Sequence, residues 1–352
     1  MATDRWLLYG AYGYTGELIA RAAVERGLDP ILAGRTRESV DRLAATLDVE
    51  SRTFSLADPA LAQQLDDVEL VLNCAGPFVD THESLLTACL DSDTHYLDVT
   101  GEIEVFESIR AHDDRAKEAD LTLLPGVGFD VVPSDCLAAH LVERLPEADS
   151  LAIGYQPAGG FSPGTLKTAI EGLGEVGLVR RGGRLEPAPV AGTIREIDFG
   201  NGPVPAAAVP FGDVSTAYHT TAIPNVETYL AVPPVAARLL PYQRHLAPVL
   251  GLDPVQALLS GLVDRLVEGP DARTRAETTA TVWGEVSDGE ATRVSRLRTP
   301  NVYRTTKLAA LETVKRVLAG EAPAGYQTPA SAFGSELILS IEGVERIDEW
   351  HR

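Results

Sequence analysis

Gly10, Gly13 and Gly16 fall at every third position in the stretch LLYGAYGYTGELIA, between an apolar run and a run with helical spacing. Positions without side chains at that place suit a diphosphate. Gly10 lets a strand turn sharply, Gly13 lets the backbone approach a pyrophosphate, and Gly16 lets a helix pack close to a sheet. The N–H groups at the helix start then face the anion. Tyr12, Tyr14 and Thr15 ride on the same turn and join the candidate dinucleotide set. The pattern G-x-x-G-x-x-G is one residue longer than the commonest fingerprint, and a glycine triplet alone is weak evidence. A packing turn without a ligand is the plain alternative. Placement between the first strand and first helix of a βα series is what favours the ligand.

The next strand tip bears on which dinucleotide. An NAD site usually ends this strand with an acid for the ribose hydroxyls. Here the tip reads Ala33-Gly34-Arg35-Thr36-Arg37. A guanidinium can pair bidentately with a 2′-phosphate, and Thr36 and Ser39 add hydroxyl donors. Glu38 is the one discordant neighbour, and Arg35 as a mere turn cap is the alternative. The cofactor expected is NADP(H).

Three more loops leave strand ends on the same edge. NCAGPF places Asn73, Ala75, Gly76, Pro77 and Phe78 where a turn can run along the ribose and nicotinamide. YLDVTGE brings Tyr96, Asp98 and Glu102 near the cleft, and PGVGFDVVPSD brings Asp130, Ser134 and Asp135. Each of these six reads equally as a turn or cap residue. A reductase also needs a proton donor; the candidates, in order, are Tyr96, Asp98 and His219. For His219 the structural role is the stronger reading. Tyr303 and Lys307 share a helical face as Y-x-x-x-K, but so far from the glycines that chance is favoured. No metal-ligand spacing occurs.

These groups need a scaffold, and the spacing supplies one. Trp6–Tyr9 reads as a buried strand, followed by a helix over Glu17–Arg26 that stops at Gly27. PILAGR, SRTFSL, ELVLNCAG, THYLDVTG and LTLLPGVG read as strands two to six. ESVDRLAATL, PALAQQL, His82–Leu90 and Val105–Glu118 read as helices. Six repeats imply an α/β, Rossmann-type doubly wound parallel sheet. After Asp135 the rhythm stops. CLAAHLVERL, Thr165–Gly177 and Asp253–Glu268 read as helices. SLAIGYQP, GTIREIDFG, VPAAAVPFGD, NVETYLAV and a hairpin of AETTATVWGEVSD with TRVSRLRTP read as strands. That is a second α+β domain on a mostly antiparallel sheet. KLAALETVKRVLAG is an amphipathic helix, and TPASAFGSELILSI another, capped by Thr328. The division expected is 1–135 for the nucleotide domain, 136–302 for a substrate and dimerisation domain, and 303–352 packing back on the first.

Charge narrows the partners. The 352 residues carry 51 acids against 30 bases, for a net charge of -21. The acids are dispersed and only four bases are lysines: Lys117, Lys167, Lys307 and Lys315. Phosphate backbones would be repelled, so nucleic acid is excluded as a partner. Such a surface suits a salt-rich cytosol, where the Debye length falls to about 3 Å near 1 M salt; colloidal solubility is the plainer reading. Cys74, Cys89 and Cys136 sit in apolar surroundings, as free thiols do in a reducing cytoplasm. No segment reads as a membrane span or signal peptide. Val232–Val263 is favoured as core helices over a lipid-touching hairpin or a lid. A homo-oligomer is expected.

The motifs GAYGYTG, AGRT, NCAGPF, YLDVTGE, GFDVVPSD, AIPNVETY, VWGEV, LRTPNVY and YQTPASAFG together resemble the saccharopine dehydrogenase-like oxidoreductases, and within them the trans-acting enoyl reductases. The resemblance implies an NADP-binding Rossmann domain, a second α/β domain and a carboxyl-terminal return. It maps Gly10, Gly13, Gly16 and Arg35 to the dinucleotide and Ala75, Gly76 and Pro77 to the nicotinamide loop. Val131 stands where relatives commonly have serine, and Asn301-Val302-Tyr303 departs from their TPNGY. The function expected is reduction of a C=C or C=N bond of a small or apolar substrate, acyl compounds included. A non-catalytic NADP(H)-binding protein engaging a partner or lipid surface is the rival. An amino-acid dehydrogenase is disfavoured, since no cluster of Arg and His awaits several carboxylates.

Overall fold

Both faces of the first sheet are covered, which is why its central strands are mostly apolar and buried. The computed structural model describes residues 5–157, 176–240 and 278–349. The chain divides into two units, Met1–Cys136 with Tyr303–Ile341 and Leu137–Val302 with Glu342–Arg352. In the first, strands β1 (Trp6–Tyr9), β2 (Ile31–Gly34), β3 (Ser51–Thr53), β4 (Leu70–Asn73), β5 (His95–Asp98) and β6 (Thr122–Leu124) run parallel in the order β6-β5-β4-β1-β2-β3. A two-residue strand, Gly325–Tyr326, adds a seventh beside β6. Side chains alternate between faces. Trp6, Leu8, Leu32, Leu72 and Leu97 meet helices α1 (Tyr14–Val24), α2 (Arg37–Leu47) and Val302–Leu318. Leu7, Tyr9, Ala33, Val71 and Tyr96 meet α3 (Phe78–Asp91) and its neighbours.

Strand order reverses at β1, which has β2 on one side and β4 on the other. Such a switch point opens a crevice at the carboxyl ends of the strands, where ligands bind. The glycine turn and the Asn73–Phe78 loop both leave from it.

The second unit holds β7 (Ser150–Pro157), β8 (Val176–Arg181), β9 (Arg184–Pro189), β10 (Ile194–Asp198), β11 (Pro203–Ala208), β12 (Asn225–Ala231), β13 (Thr279–Ser287) and β14 (Thr292–Pro300). Its main order is β10-β11-β12-β7-β13-β14 followed by Glu345–Glu349, antiparallel except for the parallel pair β7 and β12. The expected α/β plus α+β class is therefore observed. The β13–β14 turn is tied by Asp288, whose Oδ1 accepts the N–H groups of Glu290 and Ala291 at 2.8 and 2.6 Å.

Several local readings change. Val105–Glu118 is two helices, Ile103–Arg110 and Asp113–Glu118. His112 N–H bonds to Ile109 at i−3 instead of i−4, tightening the turn between them. PALAQQL is only a 3-10 turn, Leu61–Gln64. TPASAFGSELILSI forms a short helix, Pro329–Phe333, which Gly334 ends with φ 79°. Thr328 caps it as expected, exchanging side-chain bonds with Ser331 in both directions. Val176 and Gly177 belong to β8; residues 165–175 of the proposed helix, the helix Asp253–Glu268 and the 241–263 part of the apolar stretch lie outside the described residues. Among the described residues, no helix is long and apolar enough to cross a membrane.

The chain end differs most. Helix Val302–Leu318 packs on the first sheet, but Glu345–Glu349 pairs with β14, from Val294↔Glu349 to Arg298↔Glu345. Asp348 explains the attachment. Its carboxylate receives His140 Nε2 and Arg144 Nη1, each at 2.9 Å, and the Ser295 hydroxyl. Asp348→Ala should cost about 1–2 kcal/mol and lower the melting temperature. An unchanged melt would show that this carboxylate does not hold the strand.

Candidate dinucleotide site

At the end of β1 the chain turns on Gly10, whose φ is +77°. The N–H groups of Gly10 and Ala11 both donate to Ala33 O, at 2.9 and 3.1 Å, fastening the turn to β2. A Cβ at Gly10 would stand 2.7 Å from Ala75 N, and one at Gly16 only 2.3 Å from Gly10 O. Backbone thus presses on backbone, and no side chain fits at either place. Gly13 is the N-cap of α1 without any side-chain cap. Its carbonyl takes the Glu17 N–H at 2.8 Å, the first bond of the helix. The preceding amides of Tyr14, Thr15 and Gly16 find no acceptor among the described residues. Bare N–H groups in a turn closed by glycines at both ends are the donor set a diphosphate fits.

Beside this turn, a Cβ on Gly34 would sit 2.6 Å from Tyr12 Cε1. The missing side chain lets the Tyr12 ring lie across the tip of β2, where its hydroxyl donates to Thr36 Oγ1 at 3.2 Å. Arg35 and Thr36 follow, both exposed, and Arg35 makes no ion pair among the described residues. Glu38, the discordant acid, is also exposed and does not neutralise it.

The loop after β4 is held from beneath. Asn73 is fully buried; its Oδ1 accepts Ala75 N–H at 2.9 Å, and its Nδ2 donates to Thr81 Oγ1 at 3.2 Å. Thr81 returns its hydroxyl to Ala75 O at 2.6 Å. Glu102 reaches across from the next loop and takes the N–H groups of Phe78 and Val79, at 3.0 and 2.8 Å. It therefore caps α3. Gly76 and Pro77 stand exposed at the apex of a braced ledge.

Tyr96 and Asp98, the first two proton-donor candidates, come together but are sealed from solvent. Tyr96 Oη donates to Asp98 Oδ2 at 3.0 Å and lies 3.4 Å from Asn73 Nδ2. Asp98 Oδ1 accepts Thr100 N–H at 3.0 Å and Gly126 N–H at 2.9 Å. Burial pushes Asp98 up to about 6, against the pull of those N–H donors. Burial also pushes the Tyr96 phenol well above its ordinary value. The geometry assigns this pair to positioning: it ties the ends of β4, β5 and β6 instead of presenting a proton. His219 lies in the second unit on helix Asp213–Thr221, its ring 5.5 Å from that of Tyr218.

Of the remaining polar candidates, Asp130 is exposed and lies beside Gly101, while Ser134 and Asp135 make structural bonds. Ser134 Oγ donates to Val131 O at 2.9 Å. Asp135 Oδ2 accepts Ala330 N–H at 2.7 Å, so it braces helix Pro329–Phe333. Sequence reasoning missed Thr81 and Thr306. Thr306 Oγ1 accepts Phe129 N–H at 3.1 Å and pins the loop after β6. Neither carries a local signal, because each bond closes between segments distant in the chain or across a turn of helix.

Known proteins agree with this geometry. Residues 6–124 match the family described as saccharopine dehydrogenase NADP binding domain. The human saccharopine dehydrogenase-like oxidoreductase is 27% identical over 226 residues, covering 54% of this chain and 53% of that protein. A protein named as a trans-acting enoyl reductase from Mycobacterium tuberculosis is 30% identical over 182 residues, covering 47% of this chain and 43% of that one. The chain thus spans about half the length of the curated relatives it matches. Saccharopine dehydrogenase (L-Glu forming) from Saccharomyces cerevisiae has the same fold, with a TM-score of 0.68 at 13% identity over 98% of this chain and 100% of that one. The resemblance read from the motifs is borne out.

Asp98 gives the site a pH signature. Its folded value of about 6 lies above the ordinary 3.8, so the folded state holds the proton longer. This group's contribution is then most favourable at low pH and is lost as pH rises from about 4 to about 6. Asp98→Asn keeps an acceptor for Thr100 and Gly126 and cannot ionise. Relative to wild type, its unfolding free energy should rise by up to about 3 kcal/mol across that window. Parallel pH profiles in denaturant titrations would contradict this.

Proposed function

We propose that this chain is an NADP(H)-dependent oxidoreductase that reduces a C=C or C=N bond of a small or apolar substrate. The observation that carries the reading is the turn that admits no side chain at Gly10 or Gly16, with three amides that find no acceptor among the described residues, set against the braced Asn73–Phe78 ledge at the switch point of the sheet. Gly10, Tyr12, Gly13, Tyr14, Thr15 and Gly16 would hold the pyrophosphate side of the dinucleotide. Arg35 and Thr36 would take the 2′-phosphate; Asn73, Ala75, Gly76, Pro77 and Phe78 would border the nicotinamide.

When bound, the nicotinamide supplies the hydride. The residues of this chain do the rest: they bind, orient and hold loops still. The Asn73–Thr81 and Glu102 bonds fix the ledge before any ligand arrives, so little reorganisation is needed on binding. Tyr96 and Asp98 are engaged beneath the ledge, and His219, the third proton-donor candidate, belongs to the second unit. Free cysteines and the acidic surface support a reducing, cytoplasmic and salt-rich setting.

Fluorescence titration checks the cofactor. Wild type should bind NADPH about tenfold or more tighter than NADH, and Arg35→Asp should erase the difference. A wild-type preference for NADH would overturn the NADP assignment. Oxidation of NADPH above background with enoyl or imine substrates tests turnover. Tight binding without turnover across such a panel would support the non-catalytic reading instead.

A further inference from the structure

We propose that Lys307 is a phosphate-contacting residue of the dinucleotide site, delivered by the returning helix and covered by Tyr303. This rests on the dinucleotide reading above. Helix Val302–Leu318 belongs to the first unit, and its Ala310, Leu311, Val314 and Val317 lie in one buried cluster with Ile19, Ala20 and Ala23 of α1. Thr306 grips Phe129 N–H in the loop after β6, so the helix begins at the carboxyl edge of the strands. The glycine turn lies on that same edge.

Tyr303 makes the link explicit. Its ring meets that of Tyr14 edge-on, with centroids 4.8 Å apart and planes at 79°. Tyr14 is the first residue of α1, and its amide is one of the three without an acceptor. The pair is open to solvent, Tyr14 at 63% and Tyr303 at 42% exposure, so it borders the turn as a wall.

Lys307 stands one helical turn beyond Tyr303, on the same face. Side chains on a helix lean towards its amino terminus. Lys307 is half-buried, and that lean would carry its stem back towards Tyr303, Tyr14 and the turn. Among the described residues its ammonium has neither a hydrogen bond nor an ion pair. That is notable in a chain with 51 acids and only four lysines. The acid in the first turn of α1, Glu17, is instead engaged by Arg21 at 2.7 Å. A compact cation left without a carboxylate, beside bare amides and an aromatic wall, has the chemistry of a phosphate contact. Its target is the diphosphate shared by NADPH and NADH. Arg35, at the tip of β2, reads the 2′-phosphate that only NADPH carries.

The two cations should therefore separate in binding. Lys307→Met keeps the stem and removes the charge. Titrated with each nucleotide on the full chain, it should weaken NADPH and NADH alike by about tenfold, leaving their ratio unchanged. Lys307→Arg should restore most of the affinity, and the melting temperature without nucleotide should stay at the wild-type value. Unchanged affinity for both nucleotides in Lys307→Met, or a loss confined to NADPH, would overturn the inference. If Arg35→Asp still alters the preference, the dinucleotide reading survives that outcome. If wild type binds neither nucleotide, that reading fails and this inference goes with it.

Discussion

A backbone N–H without an acceptor is the constraint on which this protein is built. Among the described residues, three such donors lie together at the start of α1, in a turn that tolerates no side chain at Gly10 or Gly16. Helices normally satisfy such donors with a serine, threonine or aspartate cap; here the cap is Gly13 and offers nothing. These donors lie at the switch point of the sheet, the place where an anion would complete them. The contact of Gly10 with Ala75 then fixes where the second loop must stand, within van der Waals reach of the first.

That second loop is kept in place by buried polar groups. Asn73, Thr81, Tyr96 and Asp98 form one connected network, with Glu102 fastening the start of α3 beside it. Buried polar groups are costly unless satisfied, and these four have partners. The network explains how a loop bearing exposed Gly76 and Pro77 can be rigid: its fixings lie underneath, not at the apex. It also separates two jobs that one motif carries in the sequence. YLDVTGE looks like a row of acid–base groups, yet Tyr96 and Asp98 serve as braces and Glu102 as a helix cap.

The legible and illegible parts divide along a physical line. The glycine spacing, the strands β1–β6 and the Thr328 cap depend on local conformation or on runs of apolar residues, so they could be read directly. Hydrogen bonds between residues far apart in the chain could not. Nothing local marks Thr306 as the partner of Phe129, or Asp348 as the partner of His140 and Arg144. Burial is equally non-local, which is why Tyr96 and Asp98 read as donors. The β8–β9 hairpin escaped for another reason: its glycines and prolines break the alternation by which strands are recognised. Sequence distance gives no weight to Tyr303, although folding brings its ring against Tyr14 at the start of α1.

The central claim is that the amides of Tyr14, Thr15 and Gly16 bind a dinucleotide diphosphate. Amide hydrogen exchange, resolved to those residues with and without saturating NADPH, tests it most directly. The account predicts that these three amides exchange quickly in the free protein and slow by about an order of magnitude or more when NADPH is bound. Unchanged exchange at all three, with NADPH demonstrably bound, would contradict it.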